Sequence, residues 1–227
     1  MSNVLNEMQQ LRLMLTKETN FDLTKAEKLY NFIVGEQAAS VPEPVVNEPK
    51  PDGIYFILSP SNAIHESLAT DEDKHKSVAV GVKMGDKFAN VALHDAAGGE
   101  YIGLCTEDKI SCGSEQFFHD TFWKAMSDWN GEANTNNMRS ILNPNINLGE
   151  NEYIPSVAQL HLILLNINEI NKALIDAGGG PIQEYWYWSS TALSNDSTWI
   201  VFFNSGTTAY NRKDEYNLVR PAVMCNI

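Results

Sequence analysis

The chain contains no long apolar run. No stretch of its 227 residues approaches the ~18–20 consecutive apolar residues that cross a bilayer, so no membrane-spanning helix is expected. Its first residues, Met1-Ser2-Asn3-Val4-Leu5-Asn6-Glu7, lack the basic start and apolar centre of a secretory signal. Synthesis and folding in a cytoplasm are therefore expected. Basic residues are scarce: 16 Lys and Arg stand against 29 Asp and Glu, a formal charge of −13. That balance repels phosphate backbones and argues against nucleic acid as a partner. Cysteine is scarce too, and Cys105, Cys112 and Cys225 are an odd number that does not suit a closed disulfide framework. Cys105 and Cys112 can pair across a hairpin, but reducing synthesis favours buried thiols.

Motifs of chemistry are also missing. The histidines, His65, His75, His94, His119 and His161, show no metal-ligand spacing, and no Cys-x-x-Cys occurs. There is no Gly-x-Ser-x-Gly, P-loop or dinucleotide fingerprint; Gly178-Gly179-Gly180 follows a helical pattern rather than a strand. The expectation is a protein without enzymatic activity, cofactor or metal. A composition of 43% hydrophobic and 10% aromatic residues nevertheless supports a real core.

Three segments are expected. Residues 1–35 read as a helical anchor or oligomerisation segment. Val4, Met8, Leu11 and Leu15 form one helical stripe, and a second helix opens on the Thr24-x-x-Glu27 capping box. Residues 36–52 carry Pro42, Pro44, Pro49 and Pro51 and read as a semi-extended linker. Residues 53–227 read as the main domain. Its strand candidates are Ile54–Leu58, Ser77–Val82, Phe88–Leu93, Tyr185–Ser189, Thr198–Phe203 and Leu218–Val223. Met84-Gly85-Asp86-Lys87 should turn a hairpin.

A helix is expected over Glu115–Trp129, with Phe118, Phe122, Ala125 and Trp129 on one face, and a helical turn over Met138–Leu142. Ser156–Ala177 should be helical with a break near Asn166, where Asn166-x-x-Glu169 can recap a second helix. Asp71–Lys76 reads as a solvated charged loop. Two helical regions among mostly antiparallel strands define an α+β architecture.

Several strings are more specific. Tyr185-Trp186-Tyr187-Trp188-Ser189-Ser190-Thr191, then Trp199-x-Val201-x-Phe203-x-x-Gly206, then Val219-Arg220-Pro221 resemble the C-terminal signature of the C-type-lectin-like proteins of bacteria and their phages. These belong with the formylglycine-generating-enzyme branch of that fold. Ile154-Pro155-Ser156-x-x-x-Leu160, Ile170-Asn171-x-x-Leu174 with Gly178-Gly179, and Trp129-Asn130-Gly131-x-x-Asn134-Thr135 resemble further strings of the family. They run in the family's order over Lys76–Ile227 and leave residues 1–52 uncovered.

The resemblance implies a C-type-lectin-like fold and a binding role. Trp186, Trp188 and Trp199 should fill the core, and Ser189, Ser190 and Thr191 should satisfy backbone groups where a strand leaves its sheet. Arg220 should pair with a carboxylate or with carbonyls inside the fold. The calcium site of related lectins is not expected, because Trp129-Asn130-Gly131 lacks the acid and Glu48-Pro49 falls in the linker. Nor is formylglycine generation, which needs two C-terminal cysteines where only Cys225 stands.

The polar, Tyr-containing segments between the strings have the composition of a paratope. They nominate Asn195, Asp196, Asn204, Thr208, Tyr210, Asn211, Arg212, Asp214 and Tyr216 as ligand-binding residues. The full expectation is a homo-oligomeric phage virion protein. Its N-terminal helices would join other virion proteins, and its lectin-like domain would contact a host-surface glycan or protein. The alternatives are a purely structural head or tail decoration and a bacterial surface adhesin.

Overall fold

A computed structural model describes residues 50–109 and 118–227. The expected helical anchor, nearly all of the linker, Cys112 with its pairing, and the start of the Glu115 helix lie outside the described residues. Lys50–Ile227 forms one compact unit, and it is α+β with antiparallel sheets.

The first sheet runs in the order β2-β1-β3-β4. Its strands are β1 (Gly53–Ser59), β2 (Asn62–His65), β3 (Ala79–Met84) and β4 (Lys87–Ala92). β3 and β4 form the expected hairpin, with Met84 paired to Lys87 and Gly85 at φ 60°, the left-handed region that glycine enters without steric cost. Asp52 fastens this turn by accepting the Gly85 N–H at 2.8 Å. Between β2 and β3 lies α1 (Asp71–Lys76), where a loop was expected. Thr70 and Asp73 form a capping box there; the Thr-x-x-Asp spacing stood in the sequence, but no apolar stripe accompanied it.

The second sheet has the order β6-β7-β8, with β6 (Trp186–Ala192), β7 (Ser197–Phe202) and β8 (Thr207–Arg212). β8 is a correction, since these residues were expected to be loop. Their polar composition hid a regular strand that pairs with β7 over six consecutive residues. A short pair, β5 (Glu152–Tyr153) with β9 (Ala222–Val223), closes the domain near its C-terminus.

The expected long helix before Trp129 is, among the described residues, only α2 (Phe122–Met126). Thr121 caps its start by accepting from Lys124 N at 3.3 Å. Of the face proposed for it, Ala125 is buried, Phe122 is exposed, and Phe118 and Trp129 are half-buried. Helix α3 (Gly131–Met138) was not foreseen, and the expected turn at Met138–Leu142 follows its end. Helices α4 (Val157–Leu165) and α5 (Ile167–Asp176) break at Asn166, as the sequence indicated. Asn166 does not recap α5, however. Its side chain makes no cap bond to that helix and donates back to the Leu162 carbonyl at 2.8 Å, closing α4 instead.

Within the second sheet, β6 and β7 are buried on both faces, while β8 is exposed or half-buried along its length. Tyr187, Trp199 and Val201 face a core shared with α4, α5 and the first sheet. Trp188 and Ile200 face another core, built with Leu104, Met138, Ile146 and Val219. Two covered faces explain why Trp186–Trp188 and Trp199–Phe203 read as continuous aromatic and aliphatic runs rather than as alternation. At ~25 cal/mol per Å² of apolar area buried, Trp188 and Tyr187, both fully buried, are among the largest single contributors to the fold.

Candidate functional site

Three of the family-like strings, those holding Asn130 and Asn134, Ser156, and Thr191, meet at one residue that the sequence did not single out. Asp128 is 1% exposed and ringed by donors. Its Oδ1 accepts from Asn130 N at 3.0 Å and Asn130 Nδ2 at 3.3 Å. Its Oδ2 accepts from Asn134 Nδ2 and from Thr191 Oγ1, both at 2.7 Å. Its carbonyl accepts from Ser156 Oγ at 2.6 Å. Thr191 Oγ1 also accepts from Val157 N at 3.0 Å, so the start of α4 is tied to the same knot.

A carboxylate taken from water this completely is stable only when hydrogen bonds replace its hydration. Gly131 belongs to the knot for steric reasons, since a Cβ there would lie 2.2 Å from Gln159 Oε1 and 2.9 Å from Ser156 N. The only prior signal for Asp128 was its place next to Trp129-Asn130-Gly131.

The other expected supports behave as structure. Trp188 Nε1 donates to the Ile102 carbonyl at 2.8 Å and Trp199 Nε1 to the His119 carbonyl at 2.8 Å. Arg220 donates to the carbonyls of Ala92, Leu93 and Gly180 and pairs with Asp95 at 3.2 Å. Ser189 Oγ donates to the Trp199 carbonyl at 2.7 Å. Ser190 is an exception: among the described residues its hydroxyl is buried without a hydrogen-bond partner, while its N–H donates to the Pro155 carbonyl.

The nine nominated residues do not form one site. Thr208, Tyr210 and Arg212 lie on the face of β8 that is shared with Trp199, because Trp199 pairs with Tyr210 and their rings meet edge to face at 6.0 Å. Asn211, one step along the strand, points to the opposite face. Asn204 sits at the far end of the hairpin and is held by Glu184 at 2.8 Å. Asn195 and Asp196 occupy the β6–β7 turn, beside the end of β8 that carries Arg212 and Asp214.

This latter cluster is already paired. Arg212 grips Asp214 in a fork at 3.1 and 3.0 Å. That hydrogen bond holds the Asp214 carboxyl below the usual carboxylate range and raises Arg212. Asp196 is lowered chiefly by the hydroxyls of Ser194 and Ser197. Tyr210 at 60% and Tyr216 at 69% exposure are the aromatic side chains of the set that present open surface, beside the exposed Arg212.

One residue missing from the nominated set belongs beside it. His161, on α4, makes a 2.7 Å hydrogen bond with Thr208 Oγ1, and burial pushes its imidazole below the ordinary value. It also lines an apolar groove of about 260 Å³ with Met84, Met126, Trp129 and Leu165. A larger cleft of about 580 Å³ is lined by His94, Asp95, Ala97, Asn147 and Glu152, but Asp95 there is committed to Arg220 and Tyr187. Among the described residues, no group of three His, Cys, Asp or Glu side chains is placed to hold a metal ion, and no helix is long and apolar enough to cross a membrane.

No family model matches the chain, and neither a curated protein nor a solved structure matches it.

Proposed function

We propose that this chain is a non-enzymatic binding protein of a phage virion whose C-type-lectin-like domain engages a host-surface glycan or protein. One observation carries the reading. Three of the strings that resemble the lectin-like family converge on the buried Asp128 knot, and Trp199 and Arg220 of two others are tied to backbone carbonyls, so they are supports, and the segments between them are left to touch a ligand. On β8 and the chain just after it, Tyr210, Arg212 and Tyr216 then stand exposed. Tyrosine offers rigid amphipathic area at low entropic cost, and a neighbouring Arg–Asp fork adds oriented donors. In this reading residues 1–35 are a helical anchor that joins other virion proteins, and residues 36–52 space the domain from it.

The test is adsorption of the purified full chain to host cells and to a glycan array. Tyr210→Ala, Arg212→Ala and Tyr216→Ala, each checked for an unchanged thermal melt, should lower binding at least tenfold in combination. Undiminished binding by the folded triple variant removes the assignment of this face.

A further inference from the structure

The free edge of β8 is built to pair with another strand, and we propose that its partner is β8 of a second copy of this chain, related by a two-fold axis. This goes beyond the ligand-binding reading, since it uses backbone groups rather than side-chain faces.

The domain closes its other long edges. β4 is covered at its end by the C-terminal segment, where Ala92 N donates to the Pro221 carbonyl and Asn90 exchanges two hydrogen bonds with Val223. β6 is covered by Leu218, which bonds to both Trp186 and Trp188. β2 has only four residues, and the register beside it is irregular between Ile57 and Ser59. β8 has six residues, Thr-Thr-Ala-Tyr-Asn-Arg, in unbroken register with β7. It contains no proline, lysine or bulge, the devices that usually blunt an exposed edge.

Which backbone groups are free follows from one bond. Lys213 N donates to the Asp196 carbonyl, in register with the β7–β8 ladder. Backbone direction alternates along a strand, so Thr207, Ala209 and Asn211 face β7 while Thr208, Tyr210 and Arg212 turn their N–H and C=O outward. Of these outward groups only the Arg212 carbonyl has a backbone partner among the described residues, the N–H of Glu215.

Two antiparallel copies bond only where both members of a pair face outward, so a two-fold axis must pass through a residue rather than between two. Centred on Tyr210, the pairing places Tyr210 opposite Tyr210 of the second copy and Thr208 opposite its Arg212, engaging every outward residue.

Charge favours this arrangement in a chain of net charge −13. The acidic groups Asp196, Asp214 and Glu215 gather around Arg212, at one end of the strand. Antiparallel pairing sends the two acidic ends apart. The middle of the edge, Thr208 to Tyr210, carries no charge, so no like-charge contact opposes the contact there.

Sedimentation velocity of the full chain over a range of concentrations tests the proposal, with Tyr210→Lys and Tyr210→Pro as variants. Tyr210→Lys sets two ammonium groups against each other at the axis. Tyr210→Pro removes an outward N–H without touching the ladder to β7. Each variant should have half the mass of the native chain, while its far-ultraviolet circular dichroism is unchanged. Equal masses for the native chain and for a folded variant overturn the proposal, as does halving by neither variant when an added extended peptide binds the edge instead.

Discussion

The Asp128 knot and the β7–β8 hairpin are both rich in Asn, Ser, Thr and Asp, yet they use those residues in opposite ways. In the knot, Asn130 and Asn134 at the start of α3 and Thr191 on β6 turn toward one buried carboxylate, while Ser156 donates to the backbone carbonyl of the same residue. In the hairpin, Asp196 takes hydroxyls from Ser194 and Ser197 beside it, and Arg212 takes Asp214 two residues on. Long-range polar contacts define the fold, because removing one member strands the others away from water. Short-range ones shape a turn and leave its outer surface open. Polar composition alone therefore does not mark a binding loop; the sequence separation of the partners does.

Substitutions should reproduce this contrast. The largest effect is expected for Asp128→Ala, which strands the buried side-chain donors of Asn134 and Thr191. At about 1–3 kcal/mol for each buried unsatisfied group, urea unfolding should register a loss of at least about 2 kcal/mol; a loss as small as that of a surface residue would dissolve the knot as a structural unit. Gly131→Ala comes next. The added methyl overlaps Gln159 and the Ser156 backbone, and overpacking of this kind costs about 1–3 kcal/mol, read from the same titration.

A smaller effect concerns pH. The imidazole of His161 lies below its ordinary value of 6.5 because it is buried. Its neutral form is favoured by folding, so its contribution is full above the unfolded value and declines as pH falls through the folded one. Stability measured between pH 7 and pH 5 should therefore drop, and His161→Gln should flatten that part of the profile; an unchanged profile would detach His161 from the stability of this face. The smallest stability effect belongs to Arg212→Ala, because its ion pair with Asp214 is exposed and screened by water, although ligand binding should fall. A large destabilisation there would make the hairpin a support like the knot.

How far the sequence could be read depended on how local each signal was. The β3–β4 hairpin was legible from Met84-Gly85-Asp86-Lys87, because a glycine at positive φ fixes a turn by itself. The break at Asn166 was legible from another local signal, the Asn166-x-x-Glu169 spacing, although its side chain closes α4 rather than capping α5. The helix before Trp129 was overdrawn, because its apolar spacing continued past the point where Asp128 leaves the helix for Asn130, Asn134 and Thr191. β8 was missed because its inward residues are small or polar, with Ala209 facing the second core, so no alternation announced a strand. The nominated residues were identified as polar and tyrosine-bearing, but the pleat sent Asn211 to the other face and the hairpin's length carried Asn204 to its far end.

By itself the sequence determined the local choices: where turns fall, where α4 begins, which runs are too apolar to be exposed, and that the architecture is α+β. Each of these depends on a few neighbouring residues and on backbone sterics. Only the tertiary structure decided that Asp128 is the meeting point of three of the strings, that both faces of β6 and β7 are covered, and that β8 ends that sheet with an open edge. Those outcomes rest on contacts between residues tens of positions apart, and a burial or a hydrogen bond of that kind has no counterpart in the order of the chain.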